Sequence, residues 1–172
     1  MPGPRVLVAY GTRHGSTAEI AQVLAITLRE RGLPTDVAPA AGVADVGPYH
    51  AVVVGAAVYM LRWHQGPIDF LHAHERALAA RSVWLFESGP LDSLPETRVR
   101  PLPVPVAAIA GRIGIREHVT FGGRLEGCAA DALESFMALG GLSGDYREWD
   151  RIRQWAGSIA DVIAAECEAV PA

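Results

Sequence analysis

Val6-Leu-Val-Ala-Tyr-Gly-Thr-Arg-His-Gly-Ser-Thr-Ala-Glu-Ile-Ala21 decides how the rest of the chain is read. A short, β-branched apolar run over 5–10 reads as a strand covered on both faces. A loop of hydroxyl residues and glycine comes next at 11–17, and it passes directly into a helical pattern over 16–31, with Ile20, Val23, Leu24, Ile26 and Leu28 on an apolar side. The first N–H groups of a helix have no partner within it, and the helix dipole adds partial positive charge there. Thr12, Ser16 and Thr17 bring hydroxyls to the same place, and Gly15 permits close backbone approach. The expected guest is a phosphate group.

Downstream, strands and helices alternate. Strands are expected at 35–38, 50–55, 82–86 and 117–121, and helices at 67–80, 106–113, 128–139 and 150–168. Ser16 and Glu19 have capping-box spacing, and Gly32 falls where a left-handed C-cap belongs. Proline-rich 92–105 reads as an irregular surface excursion. In the last helix Trp149, Ile152, Ala156, Ile159 and Ile163 form one stripe, and Trp155 is expected in the core. This alternation implies an α/β domain with a mainly parallel sheet and right-handed crossovers. Ligands of such sheets bind beyond the carboxyl ends of the strands, which selects the loops at 11–17, 56–65 and 87–91. With no internal repeat or linker, residues 1–172 read as one domain.

Composition removes several function classes. All 15 basic residues are arginine, so the lysine of a phosphate-binding NTPase loop is missing. A G-x-G-x-x-G dinucleotide fingerprint is absent as well. A formal net charge of -4 leaves no footprint for nucleic acid. Cys128 and Cys167 have no metal spacing, and the scattered histidines show none either, so no metal site is expected. The N-terminus lacks a signal-peptide pattern, and no apolar run is long enough to span a bilayer. The expectation is a cytoplasmic protein with at most peripheral membrane contact.

The stretch Tyr10-Gly-Thr-Arg-His-Gly-Ser-Thr-Ala-Glu-Ile-Ala21 resembles the flavodoxin signature. Its Thr12-Arg13-x-Gly15-x-Thr17 form is similar to one branch, the menaquinone-dependent protoporphyrinogen IX dehydrogenases. Val54-Gly-Ala-Ala-Val58, His64, Phe121-Gly-Gly-Arg-Leu125 and Asp145-Tyr-Arg-Glu-Trp-Asp150 carry the same resemblance further along the chain.

The resemblance implies a flavodoxin-like three-layer sandwich with a five-stranded parallel sheet in order 2-1-3-4-5, and FMN as a non-covalent cofactor. Thr12, Arg13, His14, Gly15, Ser16 and Thr17 would hold its phosphate. Ala57, Val58, Tyr59 and Met60 would lie along the isoalloxazine ring, and Glu87, Ser88, Gly89, Pro90 and Leu91 would close the other side. Arg13 either touches the phosphate or is solvated. Trp63 either stacks on the ring or packs against the following helix. His64 is either a loop histidine or a proton-transfer group near the flavin, and Arg98 and Arg100 either meet substrate carboxylates or are solvated.

No residue is required as an essential acid or base, because the redox chemistry belongs to the flavin. The implied function is an FMN-dependent oxidoreductase of the protoporphyrinogen-oxidase type. Its substrate would be a tetrapyrrole or another small organic molecule, and its acceptor a quinone or a redox protein. The alternatives are a flavodoxin-type electron carrier, a class that usually shows a more acidic rim, and a scaffold without a redox role.

Overall fold

The computed structural model describes residues 3–89, 100–125 and 144–169. The expected helix at 128–139, Arg98, and the loop residues Pro90 and Leu91 lie outside the described residues.

Five strands form a parallel sheet: β1 (Val6–Gly11), β2 (Thr35–Pro39), β3 (Ala51–Tyr59), β5 (Ser82–Gly89) and β6 (Glu117–Gly122), in spatial order β2-β1-β3-β5-β6. Numbering only these five gives the expected order 2-1-3-4-5. The register is continuous across β1, with Val6 beside both Thr35 and Ala51, and across β5, with Glu87 beside both Ala56 and Thr120. Neighbouring backbone groups are thus paired on both edges of every inner strand, and the side chains need cover above and below.

Helices supply that cover. On one face α1 (Ser16–Glu30) and α5 (Trp149–Glu168) pack Ile20, Leu24, Leu28, Ile152, Ile159 and Ile163 onto Val6, Val8, Val53, Phe86 and Phe121. The opposite face is covered by α2 (Gln65–Ala73), α3 (Glu75–Leu78) and α4 (Val104–Ile113), which place Phe70, Leu71, Leu78, Val106 and Ile109 against Leu7, Val52, Val54, Val83 and Leu85. The result is a three-layer sandwich. Trp155 is in the core as expected: its ring meets Phe86 and Phe121 edge-on, and its Nε1–H donates to Glu117 at 2.9 Å.

Three local expectations change. The segment 56–65 is not all loop, because β3 continues to Tyr59 and turns into β4 (Arg62–Trp63), pairing Val58 with Trp63 and Tyr59 with Arg62. The expected helix at 67–80 is two helices that break at His74, whose φ of -110° leaves the helical region. The capping box at Ser16 and Glu19 does not form. Ser16 is already the first helical residue and Gly15, at φ 86°, is the N-cap, while the Glu19 carboxylate instead pairs with Arg124 and Arg147. Gly32 does close α1, at φ 82°: its N–H donates to Arg29 and that of Leu33 donates to Leu28.

Some close approaches depend on missing side chains. A Cβ on Gly55 would sit 2.0 Å from Phe86 Cζ, within the core. Gly55→Ala is expected to cost about 1–3 kcal/mol through overpacking. Gly111, exposed on α4 with nothing within 4 Å of an added Cβ, is the opposite case, and Gly111→Ala should gain roughly 0.5–1 kcal/mol. Urea denaturation of both variants checks the pair; equal shifts would contradict the packing account.

Candidate functional site

Parallel pairing sends the C-terminal ends of β1, β3, β5 and β6 to one edge of the sheet, and the loops they feed meet there. After β1 the chain turns sharply. The Gly15 N–H donates to Thr12 Oγ1 at 2.9 Å, and the left-handed Gly15 then starts α1. The first intrahelical bond is donated by Glu19 to Gly15, so the N–H groups of Ser16, Thr17 and Ala18 precede the helical ladder. Behind them Thr17 and Ser88 share a buried hydroxyl–hydroxyl bond of 2.7 Å, which ties α1 to the end of β5. One hydroxyl donates and the other accepts, leaving the acceptor's own proton to donate to a guest.

The opposite side of the cradle comes from β6 and the residues just beyond it. The Gly123 N–H donates to the Gly89 carbonyl at 2.6 Å, and the N–H of Arg124, on β7 (Arg124–Leu125), donates to Ser16 Oγ at 3.2 Å. A Cβ on Gly123 would lie 2.9 Å from the Gly89 carbonyl carbon, so only glycine allows this approach. The short antiparallel strand β8 (Gly144–Asp145) pairs with β7. From there Arg147 reaches Glu19 and Asp145, with its guanidinium over the Trp149 ring. The Arg147 guanidinium holds the Asp145 carboxyl below its ordinary range.

Together these segments enclose a slot of about 50 Å³ lined by Thr12, Arg13, His14, Ser16, Thr17, Ala57, Val58, Tyr59, Ser88, Gly89, Gly123 and Arg124. A wider cavity of about 580 Å³ adjoins it, lined by Arg13, Ala57, Tyr59, Met60, Arg62, Trp63 and His64. Arg13, Ala57 and Tyr59 border both.

Most residues expected at a site from the sequence are thus brought to one place. Gly15 shapes the loop without lining the slot. Gly123 and Arg124 are additions that the sequence reading lacks, although the Gly122-Gly123 pair at the end of a strand signals a close approach.

Four side chains take places that sequence left open or put elsewhere. Arg13 lies over the Tyr59 ring, 4.0 Å from its centroid. Trp63 is 5% exposed and packs in the core beside Val58. Glu87, expected at the ring, turns into the protein. It is 1% exposed, and its carboxylate accepts from Trp63 Nε1–H at 2.8 Å and from the Thr120 hydroxyl at 2.9 Å. Period-two alternation with the inward Val83 and Leu85 is the sequence signal for that orientation. His64 caps α2 by accepting from the Gly66 N–H at 3.1 Å.

The donor set suits a phosphate: three helix N-terminal amides, a cluster of hydroxyls and a glycine hinge, with Arg13 and His14 exposed at the mouth. Among the described residues, no three His, Cys, Asp or Glu side chains are grouped to hold a metal ion, and no helix is long and apolar enough to cross a membrane.

The family model described as a flavodoxin domain matches residues 7–125. No curated protein matches the chain. Among solved structures, a rubredoxin oxygen:oxidoreductase from Desulfovibrio gigas superposes with a TM-score of 0.65 at 14% identity, covering 97% of this chain and 38% of that one. This chain therefore spans well under half of that protein's length. A flavodoxin from the domain Archaea superposes with a TM-score of 0.60 at 12% identity, covering 93% of this chain and 99% of its own. A cysteine-to-serine variant of the flavodoxin from Pseudomonas aeruginosa gives 0.62 at 15% identity, covering 93% and 99%. At such identities the likeness is one of fold. Taken with the family match it implies FMN as the cofactor, and the cradle fits the phosphate end of that molecule.

Thr17→Val keeps the shape but removes the hydroxyl pair with Ser88, leaving a buried hydroxyl unpaired at a cost of about 1–3 kcal/mol. FMN affinity is expected to fall roughly tenfold or more, read by flavin fluorescence titration.

The Asp145 pKa is depressed in the folded state, so its contribution to stability is present above the unfolded value of about 3.9. That contribution is lost as pH falls through the lower folded value. Asp145→Asn should therefore lower the neutral plateau of a stability–pH profile and flatten its acid limb.

Proposed function

Because the chain belongs to the flavodoxin domain family, matched over residues 7–125, we propose that it is an FMN-dependent oxidoreductase acting on a small organic substrate in the cavity beside the phosphate cradle. One observation carries this reading. The slot at the N-terminus of α1 and the cavity of about 580 Å³ share Arg13, Ala57 and Tyr59, so a cofactor anchored in the first would border the second. A pocket of that volume lies within the range of small-molecule sites.

FMN supplies the hydride or electron chemistry when bound. The chain's own residues anchor, orient and shield. Amides of Ser16, Thr17 and Ala18 and the hydroxyls of Thr12, Ser16, Thr17 and Ser88 are assigned to the phosphate end. Ala57, Val58, Tyr59 and Met60 on one side and Ser88 and Gly89 on the other are assigned to the ring, where Val58 and the glycine backbone exclude water. Arg13 and Arg62 give the cavity mouth a positive character suited to an organic anion. The finer reading rests on the sequence resemblance: a protoporphyrinogen-type oxidation, with a tetrapyrrole acid in the cavity and a quinone as acceptor.

The purified chain, or the chain after reconstitution, is expected to be yellow and to release one FMN on denaturation. Anaerobic mixing with protoporphyrinogen should bleach the flavin absorption, and a menaquinone analogue should restore it. A colourless chain that takes up no FMN would refute the redox reading. Bleaching by other reductants but not by protoporphyrinogen would remove only the tetrapyrrole.

A further inference from the structure

The β6 side of the phosphate slot is held by very little backbone. Strands β7 and β8 are two residues each and share two rungs, Arg124 with Asp145 and Leu125 with Gly144. A ladder that short is marginal by itself. Yet it presents the Arg124 N–H to Ser16 Oγ at 3.2 Å, across 108 positions of sequence.

Arg147, just beyond β8, closes the arrangement. Its side chain is 4% exposed. Nε donates to Asp145 Oδ1 at 2.8 Å and Nη2 to Oδ2 at 2.6 Å, while Nη1 reaches across to Glu19 on α1. The Trp149 ring lies 4.5 Å from the guanidinium carbon. A planar fork of this kind engages two carboxylates in fixed directions. The contacts form a closed loop. Ser16 meets the Arg124 amide, Arg124 pairs with Asp145, Arg147 joins Asp145 to Glu19, and one turn of α1 leads back to Ser16.

Stability is a poor account of the Glu19 link. Glu19 is 47% exposed, and an ion pair with that much solvent access contributes little to folding. Arg147 keeps Asp145 and Trp149 without it. Charge is no better an account. A carboxylate in the first turn of α1 suits the helix dipole but opposes an anion bound at the same helix start. What the link does achieve is placement. With the Arg124 amide on Ser16 Oγ, that hydroxyl accepts there and its own proton remains to donate to a guest.

We infer that the Glu19–Arg147 bridge is a positioning device for the phosphate end of FMN, holding β7 against the first turn of α1 so that Ser16 meets the phosphate as a donor. Neither Glu19 nor Arg147 lines the slot; both act through Arg124 and Ser16, which do. The inference rests on the cofactor reading above and adds the residues that enforce phosphate recognition.

The test titrates the flavin-free chain with FMN and with riboflavin, which shares the ring and lacks the phosphate. Glu19→Met removes the acceptor and keeps a good helix former. FMN is expected to bind this variant about fivefold more weakly or worse. Riboflavin affinity and the thermal midpoint of the flavin-free chain should stay near wild type. Arg147→Lys keeps the charge but not the fork, and the same loss is expected. Combining the two should weaken FMN binding no further than either alone, because each breaks the same bridge.

Glu19→Met is decisive by itself, since its half-exposed side chain leaves the core untouched. The inference is overturned if that variant binds FMN as wild type does or more tightly, the result that repulsion between carboxylate and phosphate alone predicts. It is also overturned if FMN and riboflavin weaken together, if Arg147→Lys matches wild type, or if the two losses multiply in the double variant. A wild-type chain that binds neither flavin refutes the cofactor reading and the bridge with it. Wild-type FMN binding with unmoved variants refutes the bridge alone.

Discussion

Parallel pairing of the strands is the constraint on which the rest depends. Five strands run the same way, so every strand ends at one edge and every helix that comes after a strand begins there. Unbonded amides at a helix start, hydroxyls at the ends of strands and glycine-rich turns are concentrated at that edge because the topology leaves them nowhere else to go. The same pairing requires both sheet faces to be buried. Apolar strands such as Ala51-Val-Val-Val54 serve the fold, and the chemistry is left to the loops.

Within that edge, the cradle is built from donors that are mostly already engaged with one another. Thr12 closes its loop on Gly15, Ser16 takes the Arg124 amide, and Thr17 pairs with Ser88. These bonds hold three separate segments in register before any guest arrives, so little ordering is left for binding to impose. Gly123 fits against Gly89 for the same reason, since a side chain there would push β6 away from β5. On the far side of β5, Glu87 links the indole of Trp63 to the hydroxyl of Thr120, fixing the hairpin wall to the neighbouring strand.

Much of the fold was legible because its signals are local. Unbroken apolar runs mark strands buried on both faces, and the 3.6-residue spacing of Ile20, Leu24 and Leu28 marks a buried helix side. Gly32 marks a helix end because few other residues accept its backbone. The phosphate loop was legible for a similar reason: hydroxyls and glycine at the start of a helix have a chemistry that hardly depends on what packs behind them. The Ser16–Glu19 spacing misleads, since Glu19 finds two arginines far along the chain that no local pattern announces. The hairpin at 56–65 reads as loop because its turn lacks the asparagine and glycine that usually mark one.

By itself, then, the sequence determined the five parallel strands, the helical stretches of α1, α4 and α5, and that an anion-binding turn opens the first helix, because backbone preferences and hydrophobic periodicity act over a few residues. Only the tertiary structure decided which way Glu87 and Trp63 face, that Gly123 and Arg124 complete the slot, and that Met60 and Leu61 are held at positive φ in the open. Those outcomes depend on strand register and on contacts between residues tens of positions apart, and such contacts exist only once the sheet has assembled.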